Sequence, residues 1–274
     1  MMAGVKDEDR FETDATRYGE YLESPEGRLR TDLTFGNLQE FLPTPPAARA
    51  LSALDLGGGT GAAAIRLARL GIDVTLLDSS RAMLDLAQRA IAAAGVGHKI
   101  TVKRSDATRL ADSFPARSFD IILCHNVLEF VDDPTAALRG ARRLMRNSSA
   151  IVSVLVRHQA GEVLKAALLL ADLASAEQNL TADWGQESLY GGKVRLFTPE
   201  ALDVMLKDAS LTIAARRGVR VIADYLPPQI SRSEEYDRIF TLERKLGERR
   251  EFFGVARYMQ ALARAATAGS EGNP

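Results

Sequence analysis

The sequence lacks several features that mark common protein classes. One cysteine, Cys124, is present among 274 residues, so no disulfide can form within the chain. No apolar run reaches the roughly 18–20 residues of a membrane span, because Lys165 and Asp172 interrupt the best candidate, 163–174. Residues 6–10 are charged and lack the apolar stretch of a secretory signal. These absences predict a cytoplasmic protein with no membrane partner.

An excess of charge of one sign is also missing. The 35 Lys and Arg residues stand against 36 Asp and Glu residues, which gives a formal net charge of −1. Overall charge therefore does not indicate nucleic acid, and we expect no DNA partner. A local excess remains, since 216–264 holds eleven basic and seven acidic residues. No Cys/His cluster or HExxH motif occurs, so no metal is predicted.

The first half of the chain alternates short apolar runs with helical patterns. Strands are predicted at 51–56, 74–77, 100–103, 119–124 and 150–156. Such alternation is typical of βαβ units and a parallel sheet. The second half is less regular: 159–176 reads as a helix rich in Leu and Ala, 177–194 lacks periodicity and carries Trp184, and Thr198 is predicted to cap another helix.

A glycine-rich loop follows the first predicted strand. Residues 54–61 read LDLGGGTG and precede a helical pattern. Glycines let the backbone approach a ligand closely, and the helix N-terminus attracts anionic groups. The spacing Gly57-x-Gly59-x-x-Ala62 fits a nicotinamide or flavin dinucleotide as well. The loop alone therefore leaves the cofactor open.

Further motifs separate these cofactor classes. Asp55 lies two residues before the first glycine, Asp78 ends the second predicted strand, and Asp106 follows the third. A carboxylate at the position of Asp78 can accept hydrogen bonds from both hydroxyls of a ribose. Residues 119–130 (FDIILCHNVLEF) cover the fourth strand and the segment after it. In order and spacing, these four motifs resemble those of class I S-adenosylmethionine-dependent methyltransferases.

The resemblance implies an α/β, Rossmann-like class I methyltransferase fold with a mainly parallel seven-stranded sheet, helices on both faces and a helical insertion or lid. It implies S-adenosyl-L-methionine as the cofactor and S-adenosyl-L-homocysteine as the product. We expect five parts: an N-terminal helical cap segment (1–45), a cofactor-binding core (46–158), an insertion or lid (159–197), the C-terminal part of the core (198–264) and a flexible tail (265–274).

A closer resemblance covers about residues 11–264 and is patchy between 156 and 200. The segments that carry it are 27–30, 125–134, 218–226, 242–243 and 256–259. They resemble the bacterial tRNA 5-carboxymethoxyuridine methyltransferases, which esterify the carboxylate of a modified wobble uridine. Where that subfamily implies a lysine-rich run, residues 190–196 hold two basic residues, and the implied asparagine is absent at 156–158.

The resemblance also implies roles for individual residues. Arg30 matches the arginine that pairs with the methionine carboxylate, Asp78 the ribose ligand, and His125 a position beside the methionine half of the cofactor. The predicted cofactor-binding set is Arg30, Asp55, Gly57, Gly58, Gly59, Gly61, Asp78, Ser79, Met83, Asp106, Ala107 and His125.

The predicted reaction is a direct displacement at the methyl group of the sulfonium. A carboxylate acceptor, with a reference pKa near 4, needs no base. For other acceptors, His125 and Tyr18 are the candidate catalytic residues, and Arg195, Arg220 and Tyr225 are predicted to anchor a carboxylated substrate.

The sequence leaves three functions open. The first is methylation of tRNA. The second is O-, N- or C-methylation of a small metabolite, with 159–195 as the substrate lid, because a fold does not fix its substrate. The third is an NAD(P)-dependent oxidoreductase or a non-catalytic cofactor-binding protein, which only the glycine spacing supports.

Overall fold

The computed structural model describes residues 11–266 apart from residues 13, 108, 188 and 190. The described strands are β1 (Ser52–Leu56), β2 (Asp73–Asp78), β3 (Ile100–Arg104), β4 (Ile121–His125), β5 (Ile151–Arg157), β6 (Trp184–Gln186), β7 (Lys193–Arg195), β8 (Leu211–Val219) and β9 (Tyr258–Ala265). The described helices are α1 (Ala15–Glu23), α2 (Pro25–Gln39), α3 (Ala62–Arg69), α4 (Arg81–Ala93), α5 (Leu110–Ser113), α6 (Pro134–Leu144), α7 (Gln159–Leu164), α8 (Leu173–Asn179), α9 (Pro199–Asp208), α10 (Tyr236–Gly247) and α11 (Arg250–Phe253). None of these helices has both the length and the apolarity that crossing a membrane requires.

Seven of the described strands form one sheet in the order β3-β2-β1-β4-β5-β9-β8. Strands β1 to β5 are mutually parallel, whereas β9 lies between β5 and β8 and is antiparallel to both. The chain reverses its direction of travel across the sheet between β1 and β4. A crevice at the carboxyl ends of the strands is the usual ligand site at such a reversal.

Alternate residues of the central strands pack on opposite faces of the sheet. Leu54 and Leu56 belong to one apolar cluster together with Leu138 of α6. Ala53 belongs to the other cluster, together with Leu67 of α3. Both faces are therefore covered by helices, which explains why the strands read as continuous apolar runs in the sequence.

The N-terminal helix α2 packs at the β5–β9–β8 side of the sheet. Leu29 and Leu33 lie in one apolar cluster with Leu155 of β5. Ser24 caps the helix by accepting a hydrogen bond from the backbone N–H of Gly27 at 3.1 Å. These contacts fix the direction of α2, whose Arg30 lies at the carboxyl edge of the sheet.

The segment 159–176 is not the continuous helix that its composition predicts. A π-helical turn follows α7, and Ala171 adopts a φ of 53°. Asp172 then accepts a hydrogen bond from the backbone N–H of Ser175 at 3.0 Å and caps α8. The break arises because this aspartate satisfies the first turn of a new helix. The aperiodic stretch that follows forms a hairpin of β6 and β7.

Candidate functional site

The glycine loop after β1 forms one wall of the candidate site. Gly57, Gly59 and Gly61 have positive φ angles of 64°, 53° and 82°. A Cβ atom on Gly57 would lie 2.5 Å from Cγ2 of Val127, which follows β4. Side chains larger than hydrogen are therefore excluded at this position. The loop lies where β1 and β4 separate, and its Gly57 and Gly59 line a cavity.

Asp78 stands at the end of β2 beside this loop. Its Oδ2 accepts a hydrogen bond from the N–H of Gly59 at 2.9 Å, and its Oδ1 accepts one from the N–H of Ser80 at 2.9 Å. Burial raises the pKa of Asp78, although these hydrogen bonds oppose the shift. The carboxylate is thus fixed in direction at the edge of the sheet.

Asp55 lies beneath the loop, on β1. It is buried, and its Oδ2 has no hydrogen-bond partner among the described residues. Burial, with a further contribution from the negative charge of Asp78, raises the pKa of Asp55 to about 7. A hydrogen bond from the backbone of Ala64 opposes the shift and ties the carboxyl group to the first turn of α3.

A cavity of about 460 Å³ opens at this edge, a volume typical of small-molecule sites. Nine of the twelve predicted cofactor-binding residues line it: Arg30, Gly57, Gly59, Asp78, Ser79, Met83, Asp106, Ala107 and His125. Asp55 and Gly58 line a smaller adjoining cavity instead. Gly61 lines neither cavity and caps α3.

Arg30 reaches the cavity from α2. It is buried, and it donates hydrogen bonds to the hydroxyl of Tyr18 at 2.9 Å and to Oδ1 of Asn126 at 3.3 Å. Its guanidinium carbon also lies 5.0 Å from the ring centroid of Tyr21. Within the described part of the chain, no carboxylate lies within ion-pair distance of Arg30. The site therefore holds a guanidinium whose described contacts are all with neutral groups.

His125 ends β4 and lines the cavity. Its Nε2 lies 2.8 Å from Oγ of Ser153, which also accepts a hydrogen bond from Nε2 of Gln260 at 3.0 Å. Burial and the nearby charge of Arg30 lower the pKa of His125 to about 3. The ring is therefore neutral at pH 7 and is a poor general base.

Solved structures share this architecture. The CcbJ methyltransferase from Streptomyces caelestis has a TM-score of 0.64 and 20% identity, with coverage of 96% of this chain and all of that one. A SAM-dependent methyltransferase from Thermotoga maritima has a TM-score of 0.62 and 17% identity, with coverage of 94% and 99%. These likenesses confirm the predicted Rossmann-like fold.

Comparison of the sequence with known families and proteins indicates the reaction. A family model described as a methyltransferase domain matches residues 54–153. The tRNA 5-carboxymethoxyuridine methyltransferase of Escherichia coli K12 is 28% identical over 244 residues, 87% of this chain and 88% of the relative. The chain is an S-adenosylmethionine-dependent methyltransferase. The ubiquinone biosynthesis O-methyltransferase of Alkalilimnicola ehrlichii is also 28% identical, over 61% of this chain and 62% of the relative. The cofactor of the methyltransferase is S-adenosylmethionine, as predicted, rather than a dinucleotide.

The three residues predicted to anchor the substrate do not line the cavity. Arg220 is buried and ion-paired with Asp224, so its charge is already compensated inside the protein. The guanidinium carbon of Arg195 lies 4.7 Å from the ring centroid of Trp184. The hydroxyl of Tyr225 lies 3.5 Å from the carbonyl oxygen of Gly161. Trp184 and Tyr190 are aromatic residues that could stack on a base of an RNA acceptor, and Tyr190 lies outside the described residues.

The local excess of basic residues near the C-terminus is largely compensated. Arg216 pairs with Asp203, and both Arg217 and Arg244 pair with Glu40. Much of the basic segment therefore forms ion pairs on the surface of the methyltransferase. Its basic composition alone does not define an RNA-binding face.

The cavity also contains polar residues that sequence reasoning missed, among them Glu129, Arg157, Glu187 and Tyr258. Arg157 ends β5, and the carboxyl end of a parallel strand is a signal that could have identified it. Tyr258 begins β9, which is antiparallel, so its amino end lies at the same edge of the sheet. The sequence indicates this segment only through the family resemblance at 256–259, which does not assign Tyr258 a role.

Proposed function

We propose that the methyltransferase esterifies the carboxylate of a modified wobble uridine in tRNA, in the cytoplasm. The similarity to the tRNA methyltransferase of E. coli, over 87% of this chain, carries this proposal. The state of His125 agrees with it, because Oγ of Ser153 lies 2.8 Å from its Nε2 and burial lowers the pKa of the ring, which is therefore poorly suited to deprotonate an acceptor. A carboxylate is already ionised at neutral pH and needs no base. The similarity to the E. coli tRNA methyltransferase supports the same class of acceptor.

The residues of the cavity fit S-adenosylmethionine. Arg30 would pair with the methionine carboxylate, because it is a buried guanidinium without a described carboxylate partner. Asp78 would accept hydrogen bonds from the ribose hydroxyls. Asp106 and Ala107 would lie beside the adenine, and His125 beside the methionine half. Asp55 and the four glycines would shape the loop, and Ser79 and Met83 would line the cavity.

When bound, S-adenosylmethionine supplies a methyl group on a sulfonium, which an acceptor oxygen takes in one displacement that leaves S-adenosylhomocysteine. The contribution of the protein is orientation and exclusion of water. Phe11 and Phe130 line the cavity and pack edge to face with ring centroids 5.1 Å apart. Leu189 and Val194 of the hairpin line it as well. We therefore retain 159–197 as the lid of the site.

The proposal is tested by an acceptor assay. The protein is incubated with labelled S-adenosylmethionine and an extract of cells that lack this gene, so that unmethylated acceptor accumulates. We expect label in the tRNA fraction that mild base releases, as a methyl ester would. In Arg30→Met, loss of the charged hydrogen bonds should weaken S-adenosylhomocysteine binding about 10- to 100-fold. Arg69→Met, at an exposed arginine that ends α3, is the matched control.

The second candidate is methylation of a small metabolite. Leu189 and Val194 favour it because apolar side chains of the hairpin cover the cavity, as they would over a small acceptor. Label among small molecules only would reject tRNA as the acceptor and leave the methyltransferase assignment intact. Label in RNA that resists mild base would reject the ester.

A further inference from the structure

Arg157 and Tyr258 face each other across two neighbouring strands. Arg157 ends β5, Tyr258 begins β9, and the two are register partners in the sheet. Both side chains line the cavity, and the guanidinium carbon lies 6.0 Å from the ring centroid of the tyrosine. Within the described residues, Arg30 and Arg157 are the two arginines that line this cavity. Since Arg30 suits the cofactor, Arg157 remains for a second anion.

Tyr258 lies among positive charges. The guanidinium carbons of Arg30, Arg157, Arg220 and Arg257 all lie within 6.0 Å of its ring centroid. Burial alone would raise the pKa of this phenol, but the four charges outweigh burial and lower it to about 8. A phenol O–H in such surroundings is a strong hydrogen-bond donor to an anion.

The two carboxylates that pair with Arg157 differ in their surroundings. Glu162 accepts a hydrogen bond from Nη1 at 3.2 Å, and it is shared with Arg257 at 2.7 Å and Lys165 at 3.8 Å. It does not line the cavity, whereas Glu187, which pairs with Nη2, does. Glu162 is thus held by three cations of the interior, and Glu187 is the partner that a ligand can reach.

Glu187 belongs to the hairpin rather than to the large sheet. It follows β6, its N–H donates to the carbonyl of Gly192 at 2.9 Å, and its Oε1 accepts from the N–H of Leu189 at 2.9 Å. β6 and β7 pair with each other in a separate two-stranded sheet. The carboxylate therefore belongs to an element outside the large sheet, and displacement of its side chain from Arg157 breaks none of the strand pairs of that sheet.

We propose that Arg157 and Tyr258 bind the carboxylate of the methyl acceptor, and that Glu187 occupies Arg157 when no acceptor is bound. This inference rests on the proposed function, which makes the acceptor a carboxylate. Replacing one carboxylate by another keeps the guanidinium paired and avoids the cost of a buried charge without a partner. Methyl transfer converts the acceptor into a neutral ester, which cannot compete with Glu187 for the guanidinium. Glu187 thereby weakens binding of the acid, but it re-forms its ion pair with Arg157 after the transfer and favours release of the ester.

The test compares binding of 5-carboxymethoxyuridine, as the free nucleoside, with binding of its methyl ester. Isothermal titration calorimetry is performed on the full chain in the presence of S-adenosylhomocysteine. We expect the acid to bind wild-type protein at least tenfold more tightly than the ester. Arg157→Lys should abolish most of this preference, because an ammonium does not reproduce the planar fork of a guanidinium. Tyr258→Phe should reduce it through loss of the hydroxyl donor.

Glu187→Gln separates this proposal from a purely structural ion pair. The glutamine no longer competes for Arg157, so the acid should bind at least threefold more tightly while ester affinity stays constant. If Glu187 only supports the fold, the same substitution should weaken acid binding or leave it unchanged. Glu177→Gln removes an exposed charge from the same segment and is the matched control.

The affinity for S-adenosylhomocysteine shows which variants are folded. Should Arg157→Lys lose that affinity, Tyr258→Phe and Glu187→Gln still decide the outcome. If tRNA acquires base-labile label but the protein binds acid and ester equally well, the proposed carboxylate site of Arg157 and Tyr258 is wrong and the proposed function stands. If RNA acquires no label, the proposed function is wrong, and so is the proposed carboxylate site.

Discussion

Asp55→Asn should stabilise the ligand-free methyltransferase by an amount that grows with pH. Asp55 is 3% exposed, and burial followed by the charge of Asp78 raises its pKa to about 7. In the unfolded chain the same carboxyl group has a pKa near 3.9. The folded state therefore retains a proton that the unfolded state releases between about pH 4 and pH 7. The contribution of Asp55 to the free energy of unfolding is therefore fully present below about pH 4 and is lost as the pH rises through about 7.

The size of the effect follows from proton linkage. Each pH unit between the two pKa values changes the free energy of unfolding by about 1.4 kcal/mol. From pH 5 to pH 7 the wild type should thus lose on the order of 2–3 kcal/mol through Asp55, with little further loss at pH 8. An asparagine has no proton to release. The advantage of Asp55→Asn over wild type should therefore grow by the same amount over this range.

Urea unfolding followed by circular dichroism at pH 5, 6, 7 and 8 measures this difference. Asp85→Asn, at an exposed aspartate on α4, makes the same chemical change without burial and is the control. Parallel pH curves for Asp55→Asn and wild type would refute the reasoning. They would mean that the carboxylate is solvated or paired under the loop.

Other substitutions test separate parts of the structure. Gly57→Ala should weaken S-adenosylhomocysteine binding at least tenfold, because its Cβ would lie 2.5 Å from Val127 at a positive φ; calorimetry giving wild-type affinity would contradict this. His125→Asn should not change the shape of the pH–rate profile between pH 5.5 and 8, since the pKa of about 3 keeps the ring neutral throughout; loss of an inflection there would assign His125 a proton-transfer role. Glu243→Gln should cost about 1–3 kcal/mol in urea unfolding, because its buried carboxylate accepts three backbone N–H groups at 221–223 over 2.6–2.9 Å; unchanged stability would show that the loop does not need these acceptors.

Local pattern was sufficient to predict the parallel half of the sheet. The predicted strand at 51–56 is β1, and the one at 74–77 lies within β2. Strands buried on both faces have to be apolar throughout, and the glycine loop identifies the strand before it. Asp78, Asp106 and the glycines could be predicted for the same reason, because they lie at strand ends and in short loops. Arg30 lies within α2, and the family resemblance alone indicated it. Nine of the twelve predicted residues share one cavity, and the roles of all twelve remain predictions.

The acceptor side of the site could not be predicted in this way. Arg157 and Tyr258 are about one hundred residues apart in the sequence, and they meet because β9 inserts between β5 and β8. Arg220 was predicted to anchor the substrate, and this prediction lacks support from the structure. The nearby Asp224 forms an ion pair with Arg220 in the interior and compensates its charge. The break in 159–176 depends on one residue, Asp172, which caps α8, and the hairpin depends on the pairing of β6 with β7. Neither feature can be predicted from amino-acid composition.

The position of β9 has a consequence for how the enzyme is made. This strand is the last in the described chain, yet it lies inside the sheet and supplies Tyr258 to the cavity. Its Gln260 also holds Ser153, the partner of His125. During translation, β5 and β8 emerge from the ribosome long before the strand that joins them. The complete site can therefore form only after residues 258–265 have been synthesised.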